Sequence, residues 1–216
     1  MNARAETRPE VAAFDVDGTL TVRDCVRPFL VRVGGWSGLT AAIARKPAAS
    51  LGAAVRRDRD RVKELVVGGV LRGRKVAQVE AVGEQFAEQV AADWLRADTV
   101  ARLRWHQRMG HRIVLVSASL SPYLRPLGRT LGVDEVLCAE PLREGDHFAD
   151  GLQGANCRAA EKVRRLEEWL AKSDLRDATV WAYGDSEGDR ELLARADHPL
   201  LVKGTTVSAV PAGFAS

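Results

Sequence analysis

The sequence predicts an α/β fold, a doubly wound parallel sheet that carries a helical insert. Three apolar runs, Val11 to Asp15, Arg112 to Ser117 and Thr179 to Asp185, each end in a polar residue. Segments of helical periodicity lie between the later runs, and the stretch from about Thr21 to Asp98 has helical spacing with no strand signal. Nearly continuous apolar character marks strands covered on both faces, and strands alternating with helices mark a parallel sheet. At 216 residues, 46% apolar and 28% charged, the chain can bury a sizeable core.

The first run, "VAAFD", leads into "FDVDGTL", which sets Asp15 and Asp17 one residue apart and then turns at Gly18. Strand side chains alternate, so both carboxylates can face one way while Val16 packs. Such close charges call for a metal ion, a reaction, or a loop that tolerates them.

The insert follows. Val79, Val82, Phe86 and Val90 recur at i, i+3, i+7 and i+11, the spacing of an amphipathic helix. "LTAAIARKPAASLGAAV" is interrupted by Arg45, Lys46 and Pro47, which reads as two helices with a turn rather than a membrane-surface segment. Between Thr21 and Asp98 stand 14 Lys/Arg and 9 Asp/Glu, so the insert is basic and the remainder slightly acidic. The alternating signs of "RRDRDRVK" favour a solvated helix face over a nucleic-acid contact, and the formal charge of +3 supports no nucleic-acid partner.

Beyond the insert, "RIVLVS" reads as the second core strand, and Pro122 suits the first turn of the helix that follows, with Pro126 awkward inside it. Val163, Leu166 and Leu170 place an amphipathic helix over "EKVRRLEEWLA". "TVWAYGD" is the next strand, "DRELLARAD" a further helix, and "PLLV" a fourth strand.

Ligands bind outside the carboxyl ends of such strands. Asp15 with Asp17, Ser117 and Asp185 would therefore converge on one edge. Carboxylates from two strands suit a hard cation such as Mg²⁺. The Ser117 hydroxyl beside a helix N-terminus suits a phosphate oxygen, or serves as a plain helix cap. Lys162 at a helix start could supply a fixed positive charge. Asp15, Asp17, Asp185 and Asp189 with a phosphate dianion exceed the charge of Mg²⁺ and Lys162, so one carboxyl should hold a proton, with Asp17 the choice. Asp15 would then attack phosphorus.

These residues resemble the four motifs of the haloacid dehalogenase superfamily: "DVDGT", Ser117, Lys162 and "GDSEGD". The resemblance implies a Rossmannoid core of residues 1–20 and 99–216 and a type-1 helical cap of residues 21–98. "VSASL" and "NCRAAEKVRRL" are similar to the IB subgroup, which includes phosphoserine phosphatase-like enzymes. It implies a phosphatase in which Asp15 is nucleophile and Asp17 acid and base. Ser117 and Lys162 would hold phosphate, and Mg²⁺ would sit on Asp15, the Asp17 backbone carbonyl and Asp185. Asp189 would orient Lys162.

Specificity is expected near Asp24, Ala118, Ser119 and Gly188. Asp24 stands where phosphoserine phosphatases resemble one another in having glutamate, "SAS" replaces their Ser-Gly-Gly, and Gly188 replaces an asparagine. These departures weigh against phosphoserine and lead to the expectation of a small or amphiphilic phosphomonoester, with a phosphoserine phosphatase proper or a phosphotransferase as the alternatives. One of Arg23, Arg27, Arg56 and Arg57 is a candidate for a second substrate anion. Thr21 and Asp98 are the expected cap hinges.

Three scattered cysteines, a polar N-terminus and no apolar run of about 18 residues lead to the expectation of a cytoplasmic protein without a transmembrane segment. The four histidines show no ligand spacing, Cys25 is read as a packed thiol near the site mouth, and the five tryptophans as core or half-buried.

Overall fold

A computed structural model describes residues 8–45 and 59–213. Its centre is a parallel sheet of five strands: β1 (Glu10–Phe14), β2 (Arg112–Leu120), β3 (Glu135–Ala139), β6 (Thr179–Gly184) and β7 (His198–Leu201). They lie in the order β3-β2-β1-β6-β7. A separate antiparallel hairpin joins β4 (Pro141–Glu144) to β5 (His147–Leu152). All four expected strands form. The hairpin and β3 are additions, built from a segment that lacks a long apolar run.

Alternation divides the central strands between two cores. Ala12 and Phe14 enter one apolar cluster with Ile113 and Leu115, while Val11 and Ala13 enter another with Val114, Val116, Val180 and Ala182. That two-sided burial accounts for the unbroken apolar runs. Helices cover the sheet: α4 (Ala97–Arg108), α5 (Ser121–Leu131), α6 (Ala160–Lys172) and α7 (Arg190–Arg195). Pro122 lies in the first turn of α5, where a missing N–H costs nothing, and Pro126 is accommodated inside it.

The cap is helical: α1 (Val26–Arg45), α2 (Arg59–Leu71) and α3 (Val76–Asp93). The expected turn at Lys46-Pro47 lies outside the described residues, as do Arg56 and Arg57. Gly35, at φ 68° and ψ 174°, kinks α1. No helix among the described residues is long and apolar enough to cross a membrane.

Cap and sheet are fastened at three places. At the neck, Thr21 bridges Leu95, flanked by Val22 N–H to the Trp94 carbonyl and Arg96 N–H to the Leu20 carbonyl, each 2.8 Å. Helix α3 lies on α5 so closely that a Cβ on Gly83 would overlap the Pro122 carbonyl, and Phe86 packs edge-on against Tyr123. The hairpin grips the loop after α2 through Gly73 N–H to the Phe148 carbonyl and Val76 N–H to the Asp146 carbonyl. Thr21 and Asp98 therefore adjoin paired, hydrogen-bonded backbone rather than free hinges. A whole-cap swing would have to break these contacts.

Trp36 is 59% exposed, which corrects the reading of every tryptophan as core or half-buried: it lies near the kink, with the Arg27 guanidinium over its ring. The histidine reading holds in the core, where His106 is buried with His111 Nδ1 2.8 Å from its own Nδ1.

Candidate active site

Register brings the site together. Phe14 pairs with Leu115 on one side and Tyr183 on the other. Asp15, Ser117 and Asp185 all lie just past that row, at the carboxyl edge of three neighbouring strands. Residues about 170 positions apart in sequence become neighbours because the parallel register sets the ends of β1 and β6 side by side.

Asp15 continues β1, with its N–H on the Tyr183 carbonyl at 2.9 Å. Its Oδ1 accepts from Lys162 Nζ at 2.6 Å, and the same ammonium donates to Asp189 Oδ1 at 2.5 Å. Lys162 is 1% exposed. Burial opposes its charge, but the two carboxylates outweigh that and raise its pKa. Helix α6 carries Lys162 in its first turn. The preceding Ala159, at φ 53°, donates its N–H to the Gly188 carbonyl, which fixes α6 against the Gly184–Asp189 loop.

Asp189 is spent on that loop. Its Oδ2 accepts from the N–H groups of Asp185 and Ser186 and from the Ser186 hydroxyl, at 2.9 to 3.2 Å. One of its oxygens is thus in the turn and the other on Lys162, which ties the lysine to the loop. Gly188 completes the turn: its N–H donates to the Ser186 hydroxyl, and its Cα lies under Arg158.

Ligand oxygens of Asp15, Asp185 and Asp189 lie within 4.8 Å of one another. One lysine faces three carboxylates, so the cluster carries excess negative charge. Burial, then Asp15 and Asp189, raises the Asp185 pKa to about 6. The Asp15 pKa is also raised, by burial first and despite Lys162. Hard oxygen donors with uncompensated charge fit a divalent cation. Gly18 makes room for them, since a Cβ there would stand 2.7 Å from Asp185 Cγ.

Asp17 faces elsewhere. Its Oδ1 accepts from Cys25 N–H at 2.9 Å and its Oδ2 from the Ser119 hydroxyl at 2.6 Å. Tyr123 in turn donates to Ser119 Oγ at 2.8 Å. Burial, then the Asp24 and Asp15 charges, raises the Asp17 pKa to about 7 against these bonds. Its side chain is not among the three clustered carboxylates.

Ser117 is buried but does not cap α5, because β2 runs three residues past it to Leu120. The register with β3 shifts between Val116 and Leu120, and there the Ser117 hydroxyl accepts from Ser119 N–H at 3.2 Å. Ser119 is thus joined to both Ser117 and Asp17. Asp24 accepts from Arg27 N–H at 3.1 Å, capping the start of α1, and Arg23 lies over the Trp94 ring.

Lys63 is a site residue that charge patterning hides. Instead of lying on a solvated face, it reaches down from α2 to the Ala118 carbonyl and, at 2.7 Å, to Asn156 Oδ1. Burial lowers its pKa to about 8, although Asp17 and other anions oppose the shift. Its position four and eight residues before buried Val67 and Leu71 is the available signal, since those positions share one helix face.

A family model described as haloacid dehalogenase-like hydrolase matches residues 12–194. The chain belongs to that family. Like its other members it is a hydrolase, and its carboxylate cluster and buried lysine lie within the matched span. A curated relative, protein CicA of Caulobacter vibrioides, is 40% identical over 193 residues, covering 88% of this chain and 84% of its own length. Among solved structures, a Bordetella pertussis Tohama I protein of unknown function superposes with TM-score 0.73 at 24% identity, covering 90% of each chain. A substrate-bound phosphoserine phosphatase superposes with TM-score 0.61 at 14% identity, covering 88% of this chain and 84% of its own. At those identities the two structures speak for the fold.

Proposed function

We propose that this hydrolase is a Mg²⁺-dependent phosphomonoester phosphatase of the IB, phosphoserine phosphatase-like subgroup. In this reading residues 21–98 are its cap and residues 1–20 and 99–216 its core. The observation that carries it is one carboxylate, Asp15, which is held by a buried lysine and also offers an oxygen within 4.8 Å of one from Asp185. Three free, buried cysteines accord with a cytoplasmic setting.

Asp15 attacks the phosphorus of the ester. The bond from phosphorus to the ester oxygen breaks, and protonated Asp17 gives its proton to the departing alkoxide. An aspartyl-phosphate and a free alcohol result. Asp17, now ionised, takes a proton from water as the water oxygen attacks phosphorus, which frees Asp15 and inorganic phosphate. Lys162 and the Ser117 hydroxyl bind phosphate oxygens, and Asp189 keeps Lys162 in line. Asp15, Asp185 and the Asp17 backbone carbonyl would hold Mg²⁺, whose chemistry is to neutralise charge on the transferring group. Ser119 and the Cys25 N–H fix the Asp17 carboxyl, so the proton is delivered from one place.

The departures at Asp24, Ala118, Ser119 and Gly188 favour a substrate other than phosphoserine. Assay of an aryl phosphate with Mg²⁺ and with chelator tests the reading. Metal-dependent phosphate release is expected, with turnover lost in Asp15→Asn. Full turnover in that variant, or none in the wild type with any metal, would refute it. Adding acceptor alcohols separates hydrolysis from phosphotransfer.

A further inference from the structure

We propose that the cap groove binds the alkyl chain of an amphiphilic phosphomonoester, a refinement that rests on the phosphatase reading above. A cavity of about 430 Å³ opens between α1 and α2 and ends on Asp17 and Ala118. That volume lies in the range of small-ligand sites.

Its walls come from three i, i+4 pairs: Val26 with Leu30, Leu39 with Ile43, and Val62 with Val66. Residues four apart share one helix face, so each pair presents a strip of hydrocarbon. The first two pairs lie on either side of the Gly35 kink, which turns both halves of α1 toward the same space. Ile43 is 48% exposed and Val62 37%, so the hydrocarbon surface continues to the mouth.

Several polar groups at the inner end already have partners, and the Arg27 and Arg158 side chains line the cavity beside them. Lys63 is bonded to Ala118 and Asn156, Asn156 to Asp60 at 2.7 Å, and Asp24 to Arg27 N–H. A leaving group carrying its own ammonium and carboxylate would lose water along the three hydrocarbon strips, which is unfavourable, and would meet charged groups only at the polar inner end. A hydrocarbon chain suffers no such loss. With phosphate on the Asp15 side, continuity of the cavity with Asp17 places the ester oxygen at the neck and the chain between the helices.

The test is a homologous series of butyl, hexyl, octyl and decyl phosphate, assayed below micelle formation with Mg²⁺ and compared with phosphoserine. Burial predicts a rise in kcat/KM of about fourfold per methylene until the groove is full. Ile43→Glu and Val62→Glu should flatten that rise, whereas Val22→Glu, exposed but outside the groove, should preserve it. A flat wild-type series with measurable hydrolysis, or phosphoserine preferred to decyl phosphate, would overturn the groove assignment and leave the phosphatase reading intact. Absence of metal-dependent hydrolysis for every ester would instead overturn the reading beneath it.

Discussion

Gly18→Ala separates backbone strain from site geometry. Gly18 has φ 80°, a conformation that costs an L-residue roughly 1–2 kcal/mol. In a chain of this length each kcal/mol lowers Tm by about 2–4 °C, so a fall of about 2–8 °C is expected. The new Cβ would also stand 2.7 Å from Asp185 Cγ, where ordinary contact begins near 3.4 Å. Asp185 Oδ2 would lie closer still, so the carboxylate must retreat by more than about 0.7 Å, and displacements near 1 Å at a reacting centre can cost about 100-fold in rate. Gly110→Ala is the control, since Gly110 has φ 77° and a Cβ added there would meet nothing within 4 Å. Melting curves and aryl phosphate turnover across a Mg²⁺ titration read both effects. Gly18→Ala should lose stability and activity and need more Mg²⁺, while Gly110→Ala should lose stability alone. Wild-type turnover in Gly18→Ala, or equal loss of turnover in the control, would refute the reasoning.

Ser119→Ala removes the hydroxyl that donates to Asp17. A hydrogen bond to a charged group is worth about 1.5–3 kcal/mol, so kcat should fall roughly 10- to 100-fold with KM little changed. An equal rise in KM would point to substrate contact instead. Acid stability should depend on His106, whose pKa is lowered to about 3 by burial first, then by His111 and Arg102. Arg102 donates to the Tyr183 hydroxyl, which therefore donates to His106 Nε2, while His111, with Glu10 nearby, faces Nδ1. The unfolded chain takes a proton near pH 6.5 and the folded chain only near pH 3, so stability is lost as pH falls through that window. The His106 share of the slope approaches about 1.4 kcal/mol per pH unit. It is opposite in sign to the shares of Asp17 and Asp185, whose raised pKa values favour the folded chain in acid, so the wild-type slope minus that of His106→Gln in urea unfolding reads it. An unchanged slope would acquit His106.

The legible parts of this protein are those in which a local pattern and the tertiary environment agree. Strands β1, β2 and β6 are buried on both faces, so their apolar runs announce them, and the acidic residues after β1 and β6 mark the carboxyl edge. The hairpin is hidden because its outer strands are only partly buried and carry charges such as Arg143, Glu144 and Asp150. Ser117 is expected beside a helix start because a polar residue after an apolar run reads as a strand end; the strand instead continues through a register shift. Lys63 is illegible for a different reason. Charge alternation describes a sequence window, whereas its burial follows from packing of α2 over residues 118 and 156.

One apolar cluster contains Phe14 and Ile113 of the sheet together with Phe29, Val70 and Phe86 of the cap. The sheet keeps the core around Val114 and Val180 to itself but shares this larger one with the cap, which has no other among the described residues. Heating should therefore give a single cooperative melting transition, and a shortened protein lacking either half should be insoluble, because the surface each keeps dry for the other would face water.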